Sequence, residues 1–411
     1  MNLRSHLRKS KIIDIVTITP NTIELDSRAR RLDSVFKTLG YETKIISKSK
    51  QNAENIKEGI SISSHLQIFS KILQKYWRRY KTSNNKAIQH LLAPYMFFCY
   101  ALWILYINLS KIRKLKASTI IVHESIFTFS VVAAKIFYKA KIIVDVHDYY
   151  TYIIPKYLQT PFDKYYRIKY EDYLRRILYK NASLLITVSE SLANSLEKAY
   201  GMEFKVFRNI GNVFDTNKLV IPKYIDLNNK IELSKKRGVF IGNYKNALKY
   251  EWLKDAHWTN SSDQFEFTFI GNGYTDEFKK TFNSEIVKFM NPIDFYTDAF
   301  DFNLYDFGFL PYESTGLANQ FALPNGFFLL AQSNLPLLVP KINEISRICE
   351  VYNLGLTSDF VDSEFINRDI LRITSNEFLS KKETSKFKLD FNFKAESEKF
   401  LGMISNLNLI K

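Results

Sequence analysis

Residues Asn319 to Pro340, NQFALPNGFFLLAQSNLPLLVP, decide how this chain is read. Leu323-Pro324-Asn325-Gly326 reads as a loop, because proline and glycine interrupt regular structure and proline disfavours helix in the residue before it. Phe327 to Gln332 starts a helix off that loop. After a break at Ser333-Asn334, the apolar run Leu335 to Val339, bounded by prolines, reads as a buried strand. A loop that feeds a helix N-terminus and is followed directly by a strand is how α/β proteins turn backbone N–H groups toward an anion. The same pattern fits an ordinary αβ unit with a tight turn, so the neighbouring segments must decide.

Upstream, the alternation recurs. Lys11 to Thr19 is a β-rich run, and Glu24 to Leu39 has helical spacing through Leu25, Ala29, Leu32, Val35, Phe36 and Leu39. Gly40 stands at the C-cap position and Tyr41 to Ser47 is a second strand. This predicts a right-handed βαβ opening with parallel strands. It has no Gly-rich turn, which argues against a dinucleotide redox cofactor. Strands are expected over Ser118 to Val122, Lys141 to Val146, Asn181 to Val188 and Phe204 to Phe207. Helices are expected over Thr128 to Tyr138, over Tyr157 to Tyr179 and from the N-cap Ser189 onward. Asp215 to Lys236 is polar and is the best linker. Beyond it, strands over Gly238 to Ile241, Phe265 to Ile270 and Asp306 to Leu310, a helical stretch near Leu248 to Ala256 and a helix-prone tail over Phe391 to Leu409 resume the pattern. A chain of 411 residues is too long for one ordinary core. The expected division is 1–215, a linker over 216–236, a second domain over 237–385 and a C-terminal helix over 386–411.

Cys99 and Cys349 are far apart and lie in apolar contexts, so the sequence offers neither a disulfide framework nor a thiolate metal site, and a reducing compartment is expected. The first residues lack the apolar core of a signal peptide. Of the net charge of +16, ten positive charges and no negative ones fall between Ile60 and His123. Within that region His65 to Tyr80 interleaves apolar and basic residues, and Leu91 to Ser110 runs uncharged for about 20 residues, the length of a membrane span. A span, a buried core helix and a helix lying in the headgroup layer all compete for it. Both flanks are basic and the strand at Ser118 follows at once, which favours an aromatic, Lys- and Arg-ringed surface over 65–116 that faces an anionic membrane. The uninterrupted apolar run suits lipid better than nucleic acid.

Two strand ends carry chemistry. Ser118 to Val122 runs into His123-Glu124, and Lys141 to Val146 into His147-Asp148, so both deliver a histidine and a carboxylate to the edge where open α/β sheets bind ligands. His147 and Asp148 are the candidates for orienting or activating a hydroxyl, with His123 and Glu124 beside them. The histidines are otherwise scattered, and no metal cluster is expected.

Taken in order, these segments resemble the GT-B fold, two Rossmann-like α/β domains facing a central cleft, and most closely the retaining glycosyltransferases of family 4. Asp26-Ser27-Arg28 resembles that family's opening D-x-R, and Asp145-Val146-His147-Asp148 its acceptor-side D-x-H-D strand end. ASLLITVSESLA at Ala182 to Ala193 and VFRN at Val206 to Asn209 are similar to its A-D-x-I-x-x-V-S-x-x-L and V-x-x-N segments. Phe240-Ile241-Gly242 and Phe269-Ile270-Gly271-Asn272-Gly273 resemble its glycine turns. Leu323-Pro324-Asn325, Leu335-Pro336 and Glu344-Ile345 are similar to its donor block.

The resemblance implies transfer of a sugar from a nucleotide-sugar, with backbone N–H groups and Lys or Arg stabilising the leaving phosphate. Gly242, Lys245, Gly271, Gly273, Asn319, Pro324, Asn325 and Glu344 are then the donor-side candidates. It implies a glycan or lipid-linked acceptor, retention of configuration, cell-surface polysaccharide synthesis, no metal or other cofactor, and a cytoplasmic, peripheral place on the inner face of the plasma membrane. Three positions depart from the family pattern. Leu329 stands where the family has a ribose-binding glutamate, Gly326 where it has a lysine, and Asn243 where it has an arginine. A GT-B binding or scaffolding partner without catalysis is the rival these departures favour.

Overall fold

The computed structural model describes residues 13–20, 27–47, 80, 85–123, 125–147, 160–211, 219–220, 235–244, 248–255, 258, 264–293, 295, 298–313, 320–321 and 323–406. Its chain contacts divide it into two compact units, 1–187 with 193–206 and 400–411, and 188–192 with 207–399.

The first unit holds a six-stranded parallel sheet built from β1 (Ile13–Ile18), β2 (Thr43–Ile46), β3 (Ala117–Val122), β4 (Lys141–Val146), β5 (Leu184–Thr187) and β6 (Lys205–Val206), in the order β2-β1-β3-β4-β5-β6. Its helices are α1 (Ser27–Thr38), α2 (Lys86–Lys111), α3 (Thr128–Tyr138), α4 (Ile168–Asn181) and α5 (Glu190–Tyr200). The expected βαβ opening is present: Ala29, Leu32, Val35 and Phe36 of α1 are buried, and Gly40 ends the helix at φ 82°. A residue with a side chain resists that left-handed turn. Leu39, assigned by spacing to the buried face, is exposed, because it lies past the last helical turn. Ser189 Oγ accepts from the Leu192 N–H, which is the N-cap bond expected of it.

The second unit holds β7 (Leu219–Val220), β8 (Lys236–Ile241), β9 (Phe265–Ile270), β10 (Val287–Met290), β11 (Phe300–Asp301), β12 (Phe307–Phe309), β13 (Leu337–Pro340) and β14 (Gly355–Ser358). Six of these form a second parallel sheet in the order β10-β9-β8-β12-β13-β14, and β7 pairs with β11. The helices placed around it include α6 (Asn325–Gln332), α7 (Asn343–Val351) and α8 (Ser363–Ile373), and α9 (Phe393–Asn406) follows them in the chain. The core is dense in aromatics, with Phe240, Phe267, Phe269, Phe307, Phe309 and Trp258 all fully buried. Such rings favour the edge-to-face contacts seen here, as between Phe269 and Phe309 at 5.2 Å and 85°.

Four segments depart from the sequence reading. The helix expected near Leu248 is a single 3-10 turn, Glu251–Lys254, because Trp252 and Leu253 both point into the core and Leu248 pairs as a bridge with Tyr312. The linker is not wholly irregular, since Leu219–Val220 is a strand. The helix of the opening stretch begins at Asn325, with Pro324 in extended conformation at its N-cap. Finally, α9 ends in the first unit, where Phe400 packs edge-on against Phe36 at 5.7 Å. Of the region over 65–116, His65 to Arg79 lies outside the described residues.

Candidate active site

Strand order fixes where ligand crevices open. In the first sheet β1 leads to β2 on one side and to β3 on the other, so the order reverses between β1 and β3; in the second it reverses between β8 and β12. Open α/β sheets bind ligands outside the carboxyl ends of the strands at such reversals.

At the first reversal four side chains converge. His123 follows β3, Asp145 and His147 come from the end of β4, and Arg28 sits in the first turn of α1, which follows β1. Arg28 Nε donates to Asp145 Oδ2 at 2.6 Å and Nη2 to Oδ1 at 2.7 Å, a bidentate pair. His147 Nε2 lies 3.0 Å from the same Oδ2, His123 Nδ1 lies 3.2 Å from it, and the two ring nitrogens are 3.0 Å apart. Arg28, Asp145 and His123 are buried, while the His147 side chain keeps 25% of its exposure. Burial alone would push the Asp145 carboxyl upward. The Arg28 guanidinium first, then the two histidines that hydrogen-bond to the carboxylate, overcome it and hold that carboxyl well below the usual carboxylate range.

His123 Nδ1, Asp145 Oδ2 and His147 Nε2 lie within 4.8 Å of one another, so the three have the spacing to ligate a cation. The sequence shows scattered histidines; the sheet brings two of them to one carboxylate. Arg28 already places a full positive charge on the same oxygen, and a dication there would face it at close range. The donor set suits hydrogen bonding better. Glu124 and Asp148, read with these histidines from sequence, lie outside the described residues. Asp145 and Arg28 were visible only as letters of two separate motifs, because 117 residues separate them.

At the second reversal the glycine turns and the α6 N-terminus meet. A Cβ on Gly271 would stand 2.2 Å from the Gly242 carbonyl oxygen, and one on Gly326 2.3 Å from that of Ile241. The backbone of Pro324, Asn325 and Gly326 therefore runs against the end of β8, and there is no room at Gly326 for the family's lysine. The turns are bonded chiefly to the sheet and to each other: Gly242 N–H donates to Ile270, Tyr244 N–H to Asn272, and Gly271 N–H to Met290. Two of the amides expected to face a diphosphate are thus already engaged. Gly273, at φ 90°, is exposed. Leu329 is half-buried against the core. Lys249, the cation that follows the Gly242 turn most closely among the described residues, donates to the Asp359 carbonyl at 2.7 Å. Glu344 is buried in the first turn of α7 and paired with Arg347 at 2.9 Å, which makes it a helix-terminus carboxylate held by its own helix. Lys245 and Asn319 lie outside the described residues.

Residues 70–218 match the model of Glycosyltransferase Family 4. Both sheets are likewise matched by solved glycosyltransferase structures over nearly the whole chain. The fold is GT-B. Sucrose-phosphate synthase from Thermosynechococcus elongatus superposes with a TM-score of 0.59 at 10% identity, covering 96% of this chain and 99% of that one. HepE from Anabaena, in complex with UDP and glucose, gives a TM-score of 0.57 at 11% identity over 96% and 100%. The catalytic domain of starch synthase IV from Arabidopsis thaliana, bound to ADP and acarbose, gives 0.55 at 11% identity over 97% and 99%. No curated protein sequence matches the chain. The segment that matches the family model lies mostly in the first unit, whose strand ends carry the Arg28–Asp145–His147 cluster.

Proposed function

We propose that this protein is a glycosyltransferase that moves a sugar from a nucleotide-sugar to a glycan or lipid-linked acceptor, with retention, in the synthesis of a cell-surface polysaccharide. The observation that carries the reading is the ordered His147 cluster at the strand reversal of a unit that holds most of the segment similar to Glycosyltransferase Family 4. The donor would lie on the second unit, where the glycine turns and the N-terminus of α6 meet and backbone dipoles favour phosphate. Solved GT-B neighbours hold UDP with glucose and ADP in their structures, which supports a nucleotide-sugar as the donor class.

The acceptor is proposed to be membrane-linked because of α2. Its inner face packs Met96 and Ala93 with Phe162, and Tyr100 donates to Glu171 at 2.6 Å. Its outer face exposes Ile88, Leu91, Tyr95, Phe98, Leu102, Leu105 and Leu109, a stripe at helical spacing. The helix is long and apolar enough to cross a membrane, yet it is one wall of a unit built on a parallel sheet. A helix with such a stripe and basic ends at Lys86 and Lys111 to Lys116 suits the headgroup layer of an anionic leaflet, and the proposed place is the inner face of the plasma membrane.

A second reading, a GT-B binding partner without turnover, is favoured by Leu329, by Gly326 and by the engaged Gly242 and Gly271 amides. Thermal-shift titration of the purified protein with UDP-, GDP- and CMP-sugars tests both. A stabilising donor is expected, and no response to any of them would refute both readings.

A further inference from the structure

The His147 ring meets Asp145 through Nε2 at 3.0 Å. Asp145 is a buried carboxylate whose charge is fixed by the Arg28 fork, so a lone pair on Nε2 would point at an anion at hydrogen-bond distance. Nε2 must therefore carry the proton. A neutral imidazole has one N–H, which leaves Nδ1 as an acceptor. Among the described residues no hydrogen bond reaches His147 Nδ1. His147 is also the more open of the two rings, at 25% side-chain exposure against 2% for His123. Flipping the ring would put a carbon where Nε2 meets Asp145 and His123 Nδ1.

We propose that Asp145, held by Arg28, is a positioning residue that fixes His147 as the Nε2–H tautomer and presents Nδ1 as the acceptor for a neutral sugar hydroxyl, while refusing phosphate and carboxylate groups. The sugar part rests on the glycosyltransferase reading; the tautomer part does not. His147 would touch substrate, whereas Asp145 and Arg28 act through it. The arrangement selects a hydroxyl because a lone pair on a neutral ring attracts an O–H donor and repels an anion.

Nitrogen NMR of the full-length, histidine-labelled protein at neutral pH tests this, with the His147 signal assigned by its loss in His147→Gln. The wild type is expected to show Nε2–H and an unprotonated Nδ1, Asp145→Asn a mixture of tautomers, and Arg28→Lys the wild-type form. Inorganic sulfate should leave the signal unmoved. A wild-type Nδ1–H, an unchanged tautomer in a folded Asp145→Asn, or a shift on sulfate would each overturn the proposal. On a donor that the wild type turns over, Asp145→Asn should lower kcat by about 100-fold and leave KM within about threefold. If the wild type turns over no donor, the enzyme reading fails, and the wild-type tautomer still decides this inference.

Discussion

Arg28 and Asp145, 117 residues apart in sequence, form a bidentate ion pair that is buried on both sides. The pair ties the first turn of α1 to β4, two strands away from β1 in the sheet, and so fixes the strand ends that carry the histidines. Removing one partner strands a buried charge. Arg28→Ala is expected to cost about 3–5 kcal/mol in urea unfolding, whereas Arg28→Met combined with Asp145→Leu should cost much less.

The pair also predicts an acid limb. The Asp145 carboxyl is held below its ordinary value in the folded chain. Its contribution is complete above the unfolded carboxyl's value of about 3.9 and is lost as pH falls through the folded value. The stability difference between wild type and Asp145→Asn should be flat at neutral pH and shrink below about pH 4. A difference that grows toward acid would contradict the assignment.

Lys382 gives the opposite window. Its Nζ donates to the Asn334 carbonyl, beside Lys388 Nζ on Asn334 Oδ1 at 2.8 Å. Burial, then the charge of Lys388, push its pKa down to about 7. Between that value and the unfolded lysine's ~10.4 the unfolded chain binds the extra proton, so stability rises with pH, by at most about 1.4 kcal/mol per unit. Unfolding of Lys382→Met measured across this range should show most of that rise removed.

Gly326 is required by space. Its Cβ would meet the Ile241 carbonyl oxygen at 2.3 Å, and that backbone belongs to the central strand β8. Gly326→Ala is expected to destabilise by about 1–3 kcal/mol. Gly326→Lys should not strengthen nucleotide binding, as calorimetry can show.

The exposed stripe of α2 predicts lipid binding. Leu91 at 79%, Phe98 at 60% and Leu109 at 60% exposure contribute little to the fold. Their joint replacement by serine should leave the unfolding midpoint nearly unchanged and weaken co-sedimentation with anionic vesicles by at least about tenfold. Glutamine at Lys86, Lys111 and Lys114 should weaken it further, by roughly 1 kcal/mol per residue at low salt. Undiminished pelleting would exclude this face.

The parallel sheets were legible because strand runs such as Ile13–Ile18 and Phe265–Ile270 are rich in isoleucine and phenylalanine and alternate with segments of helical spacing. Short strands such as Gly355–Ser358, with weak apolar character, left no such trace. His123 and His147 were legible as strand-end residues, since the strand sets their edge. Their meeting at Asp145 was not, because it depends on β3 and β4 being neighbours and on a guanidinium from far upstream. The glycine turns could be read as turns. That their amides are spent on β9, β10 and one another follows only from strand order.

The most direct test of the central claim is donor turnover: release of the free nucleotide (UDP, GDP or CMP) from the nucleotide-sugar that binds, labelled in its sugar and measured with a bacterial lipid extract as acceptor, for the wild type and His147→Gln. The wild type is expected to release nucleotide in an acceptor-dependent way, with the labelled sugar recovered in the lipid fraction, and the variant at a rate at least about 100-fold lower. Tight donor binding with no release by the wild type, or equal rates in both proteins, would contradict it.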